Sequence, residues 1–208
     1  LTREFVLSQV RLPLYVPALA AALPQAVSEA AQGRFEALAG LGSAMGSRGM
    51  GRMAGGMHFS VVCAEDFPRL AQSRDQPGRD FGAAASALYQ AVCAQWPRGE
   101  VPAAFYTVPA APAATLVLSG GADPVTPPRH GERVTQALGA KARHVVVPEA
   151  GHGVMSLPCM RDVLFRFIDA ATDADALVVD AGCAAGIPRP AFFVPPGLAA
   201  SATPGAAR

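Results

Sequence analysis

An apolar run that stops at two glycines, an acid and two prolines constrains this chain more than any other feature. It reads Ala114-Thr115-Leu116-Val117-Leu118-Ser119-Gly120-Gly121-Ala122-Asp123-Pro124-Val125-Thr126-Pro127-Pro128. Its apolar, β-rich residues predict a buried inner strand over 115–119. The glycines allow a tight turn, and Pro124 keeps the backbone from continuing as strand, so Asp123 is presented at the strand's carboxyl end. In open parallel sheets, ligands and chemistry gather at that end. The same grammar recurs downstream: His144-Val145-Val146-Val147 predicts a second short strand, and Pro148-Glu149-Ala150-Gly151-His152-Gly153 follows it. Between them, 129–138 reads as a helix with Gly139 as its stop signal. An Asp and a His thus fall on consecutive post-strand loops. In that order, an orienting carboxylate and a proton-accepting imidazole are two of the three parts of an acyl-transfer triad. Asp-Pro also supplies ordinary turns and caps, and a lone loop His is commonly a surface residue, so the pair is more specific than either member.

Composition narrows the class. Of 208 residues, 51% are hydrophobic, enough for a sizeable core, and the 17 basic and 16 acidic residues leave a net charge of +1. The scattered basic residues give no electrostatic footprint for nucleic acid or an anionic membrane surface. The four cysteines, at 63, 93, 159 and 183, form no CxxC pair and have no histidine at ligand spacing, which argues against a zinc site. They allow three pairings. The sequence-local one would suit an exported protein, and four buried thiols would suit a cytosolic one. The apolar stretch 12–27 is interrupted by Pro13, Pro17 and Pro24 and is too short to span a bilayer. The chain begins with Leu1 and no charged n-region leads into a cleavage site, so a mature or truncated amino terminus is expected.

The order of elements points to an α/β fold. Residues 1 to about 55 read as short helices broken by Pro13, Pro24 and Gly33, with 40–57 a Gly/Met-rich mobile loop. His58-Phe59-Ser60-Val61-Val62-Cys63 reads as a strand ending in Ala64-Glu65-Asp66, and 67–81 as a polar loop. Residues 82–96 read as a helix, 101–114 as a Pro/Ala linker, and 156–171 as the last helix, with Val163 and Ile168 among its inward residues. Residues 172–208 read as a Pro-rich tail extended over the surface, its last ten residues expected to be disordered. Strand–helix alternation implies about three parallel strands with flanking helices. The strand at 58–63 would expose an apolar edge, so a homo-oligomer is one way to cover it.

The motif 118–127 together with Gly151-His152-Gly153 resembles the last two triad motifs of exported α/β-hydrolases of the tripeptidyl-aminopeptidase and prolyl-aminopeptidase type. Ser60-Val61-Val62-Cys63-Ala64-Glu65-Asp66, Cys93-Ala94-Gln95-Trp96-Pro97, and Cys183 with Ile187-Pro188-Arg189-Pro190 are similar to segments of that family. Leu12-Pro13-Leu14-Tyr15 and Ala30-Ala31-Gln32-Gly33-Arg34-Phe35 resemble its helical cap. The resemblance implies a partial α/β-hydrolase fold divided into a helical cap region with its loop (1–57), the carboxyl-terminal part of the core (58–171) and a tail (172–208). It makes Asp123 the orienting acid and His152 the general base. It also implies Cys63–Cys93 and Cys159–Cys183 bridges, a secreted or periplasmic location, a peptide or small ester substrate, and no metal or organic cofactor. Glu65 and Asp66 become candidates for binding a substrate's α-ammonium group, against the blander reading of a helix-start cap.

The nucleophile is missing. In that family it is a Ser in G-x-S-x-G, and here no serine or cysteine has a glycine two positions before it. Ser43 and Ser47 miss the spacing and follow no strand. Gly78-Arg79-Asp80-Phe81-Gly82 has the spacing with Asp in the middle, after a polar stretch. The expectation is therefore the carboxyl-terminal portion of a serine hydrolase whose partner is the missing amino-terminal half of the same fold. An esterase of that fold, or a non-catalytic remnant acting as a binding module, are the alternatives.

Overall fold

The computed structural model describes residues 1–46, 53–72 and 81–195. The Thr2 hydroxyl accepts the Phe5 N–H at 3.2 Å and opens α1 (Arg3–Arg11). A single 3-10 turn, Leu12–Tyr15, absorbs Pro13. Pro17 and Pro24 then stand in the first turns of α2 (Pro17–Ala20) and α3 (Leu23–Ala30), where a missing N–H costs nothing. With α4 (Glu36–Gly46), these helices bury Leu23, Ala26 and Leu38 against Val6, Val10 and Leu14.

Much of the expected loop at 40–57 is helical. α4 runs on to Gly46, and Gly42 lets α1 approach: a Cβ there would collide with the Gln9 side chain. Residues 47–52 of that loop, the 73–80 part of the polar loop and the last ten residues lie outside the described residues.

The expected strand at 58–63 is a helix, α5 (Gly55–Glu65). The error lies in the period. A strand would turn Phe59, Val61 and Cys63 to one face, yet Val61 is 39% exposed while Cys63 is fully buried. His58, Phe59, Val62 and Cys63 form one helical stripe instead, facing α6 (Ala84–Cys93). Cys63 is disulfide-bonded to Cys93, Phe59 packs between Tyr89 and Trp96, and His58 Nε2 lies 2.7 Å from the Tyr89 hydroxyl. Tertiary contact overrides the β propensity of two valines.

Two parallel strands remain among the described residues, β1 (Thr115–Gly120) and β2 (Ala142–Val147), paired from Thr115↔Ala142 to Gly120↔Val147. The fold is a partial α/β one with this two-stranded sheet. Among the described residues β1 has a partner on one edge only, and its first four residues are half-buried rather than buried as expected of an inner strand. Period two sorts its side chains. Leu116 and Leu118 face the core of Val147, Val154, Met160 and Val163, the last two from α8 (Pro158–Ile168). On the other face, under α7 (Pro128–Leu138), Ser119 Oγ and His144 Nε2 lie 2.8 Å apart. Gly131 of α7 sits over that pair, where a Cβ would strike both side chains. At the end of α8, Ile168 is 61% exposed rather than inward.

Cys159, on α8, is disulfide-bonded to Cys183, and this ties the tail to the core. The tail forms α9 (Asp173–Ala176) and a 3-10 turn, Gly182–Gly186, and then runs without regular structure over 187–195. It returns to the helical block where the Phe193 N–H donates to the Ala21 carbonyl at 3.0 Å. No helix among the described residues is long and apolar enough to cross a membrane.

Candidate functional site

The loops after β1 and β2 interlock at the carboxyl end of the sheet, and glycine makes this possible. The Gly121 N–H donates to the Val147 carbonyl (2.8 Å) and the Ala122 N–H to the Ala150 carbonyl (2.9 Å). A Cβ on Gly120 would strike the backbone of Ala150 and Gly151, and one on Gly121 would strike Pro148. This close approach delivers Asp123 and His152 to one point: His152 Nδ1 lies 2.9 Å from Asp123 Oδ2.

Every acceptor on Asp123 is used. Oδ1 accepts from the Val125 N–H (2.8 Å) and the Thr126 N–H (3.0 Å), an Asx-type turn that fixes the carboxylate. Oδ2 accepts from the Thr126 hydroxyl (2.8 Å) as well as from the imidazole. The residue is only 8% exposed. Burial pushes its carboxyl up, but the Val125 and Thr126 N–H groups, the Thr126 hydroxyl and His152 outweigh burial and hold it below the ordinary value.

Because Asp123 accepts at Nδ1, the neutral imidazole carries its proton there and keeps its lone pair on Nε2. Nε2 makes no hydrogen bond among the described residues, and the side chain is 43% exposed. The ring is held from a second side. The His152 N–H donates to the Tyr15 carbonyl at 2.8 Å, and the two rings meet edge to face with centroids 5.3 Å apart. Gly151 allows this contact, since a Cβ there would strike the Tyr15 carbonyl and Pro17. An oriented imidazole with an open Nε2, backed by a buried carboxylate, can take a proton from a hydroxyl placed beside it.

Glu65 and Asp66 stand apart from this arrangement, at the carboxyl end of α5 rather than after a strand. The Glu65 carbonyl accepts the Tyr106 hydroxyl at 2.7 Å, and the Asp66 N–H caps α5 on Val62. Among the nucleophile candidates, Ser43 lies exposed within α4, whereas Ser47 and Asp80 lie outside the described residues. No cluster of three or more His, Cys, Asp and Glu side chains able to hold a metal occurs among the described residues.

Thr126 and Tyr15 were not singled out from the sequence. A hydroxyl three residues after an Asp-Pro turn is a legible signal for the first. Nothing local marks the second, which meets His152 across 137 residues of chain. A cavity of about 510 Å³ also went unread. It is walled by the helical block from Leu14 to Val27, by Ala122 and Glu149 of the two loops, and by Arg189, Pro190 and Phe192 of the tail.

A protein-family model described as "TAP-like protein", an α/β-hydrolase family, matches residues 78–177. That span takes in α6, both strands, Asp123 and His152, and over these residues the chain is similar to an α/β-hydrolase family. No curated protein and no solved structure matches the chain.

Proposed function

We propose that this chain is the carboxyl-terminal portion of an exported serine hydrolase, most like an exopeptidase that releases short amino-terminal pieces of peptides. The observation that carries this reading is the buried, fully bonded Asp123 carboxylate 2.9 Å from Nδ1 of an imidazole whose Nε2 is open. In the proposed reaction His152 takes the proton of a serine as it attacks the acyl carbon. Asp123 holds the imidazole in register and stabilises its cation, and His152 then returns the proton to the leaving amine. Water repeats the sequence to free the acyl group.

The serine and the oxyanion donors come from a segment outside these 208 residues, as the absence of G-x-S-x-G supports. The edge of β1 away from β2 carries no strand among the described residues, and a strand of that segment has its place there. Export is supported by the two disulfides, which persist in oxidising compartments.

The test is to read the coding sequence upstream of Leu1 for a strand followed by G-x-S-x-G, and to assay both forms on aminoacyl anilides and chromogenic esters. The longer product should turn over and the 208-residue chain should not. Absence of that motif, or turnover by the 208-residue chain that His152→Ala abolishes, contradicts the reading.

A further inference from the structure

The cavity behind the Tyr15–His152 contact has an unusual charge pattern for its lining. Leu14, Val27 and Phe192 give it apolar walls, while Glu149 and Arg189 supply one carboxylate and one guanidinium. These two charges are not spent on each other. Neither forms an ion pair among the described residues, where Lys141 pairs with Asp173 and Asp123 is bonded to His152, and the Arg189 guanidinium lies 5.6 Å from the Phe192 ring centroid. Its volume of about 510 Å³ falls in the range of small-ligand clefts, ~300–1,000 Å³.

An apolar cleft with one negative and one positive group is complementary to a ligand with apolar side chains and one charge of each sign. We infer that this cavity binds a short peptide of apolar residues with both termini free, its α-ammonium on Glu149 and its carboxylate on Arg189. The choice of a peptide rests on the exopeptidase reading, because an enzyme that cuts short pieces from amino termini creates such zwitterions. Position supports it: Ala122 and Glu149 lie on the loops that carry Asp123 and His152, and Leu14 and Pro17 flank Tyr15. The tail completes the wall, held by the Phe193–Ala21 hydrogen bond.

The test is calorimetric titration of the 208-residue chain with leucyl-leucine, N-acetyl-leucyl-leucine and leucyl-leucine amide. Leucyl-leucine should bind saturably, and each capped analogue at least about tenfold more weakly, the effect of losing one charge-assisted hydrogen bond. Glu149→Gln should abolish discrimination against the acetylated peptide and Arg189→Met discrimination against the amide. Val27→Trp, at a half-exposed wall position, should fill the cleft and remove binding while circular dichroism stays native. Absence of saturable binding, equal binding of the capped peptides, or unchanged preferences in both charge variants overturns the inference. The two readings fail separately: hydrolysis by the longer protein with no peptide binding here removes only the cavity assignment. Charge-dependent binding with no hydrolysis removes only the hydrolase.

Discussion

The Tyr15 carbonyl accepts the His152 N–H at 2.8 Å, so a turn of the amino-terminal helical block holds the imidazole loop of the sheet domain. The contact exists because residue 151 lacks a Cβ. Gly151→Ala should therefore push the two apart and destabilise the protein by about 1–3 kcal/mol, as overpacking does. Urea unfolding of the purified variant measures this, and a change under about 0.5 kcal/mol would show that the contact is slack.

Asp123 makes a pH prediction with a definite sign. Its folded carboxyl lies below the unfolded value of 3.8, so the folded state binds that proton less readily. The stability it contributes is fully present above about pH 3.8 and is lost as the pH falls from there through the lower folded value. Asp123→Asn should flatten this acid limb. Unfolding free energies measured between neutral pH and the acid transition would show the wild-type slope and its absence in the variant.

The Cys63–Cys93 bridge spans 30 residues and joins α5 to α6. Loop-closure entropy assigns such a bridge about 3–4 kcal/mol. The double variant Cys63→Ser/Cys93→Ser should lose roughly that much in denaturant unfolding, and the wild-type should lose at least as much under reduction, which opens both bridges.

The helical reading of 55–65 separates two adjacent valines. Val61→Lys, on the exposed side, should change stability by under about 0.5 kcal/mol, whereas Val62→Lys, on the stripe toward α6, should cost more than about 1 kcal/mol. Equal costs, measured by thermal unfolding, would contradict the assigned face.

Those valines also show where the sequence misleads. The segments around Asp123 and His152 were legible because each combined an apolar run with chemistry that stops it: Gly120, Gly121 and Pro124 after one strand, Pro148 and Gly151 after the other. His58–Cys63 had the β-branched content of a strand, and only the partner across the disulfide decided that residues 58, 59, 62 and 63 would turn inward. The glycines of α4 read as a loop for the same reason, because the close approach that Gly42 allows is visible only beside Gln9. Glu65 and Asp66 were tied to a strand end that does not exist. Thr126 could have been found from Asp-Pro-Val-Thr alone. Tyr15 and the Glu149–Arg189 cavity are products of long-range packing and have no local signature.

The most direct measurement is the turnover number of the upstream-extended protein on a chromogenic ester, with Asp123→Asn and His152→Ala compared to wild type. If the carboxylate fixes the tautomer of the base, Asp123→Asn should lower kcat by about 10³–10⁴-fold with a native circular dichroism spectrum, and His152→Ala by at least as much. Variants that keep kcat within about tenfold of wild type would contradict the account, whatever the 2.9 Å contact between them.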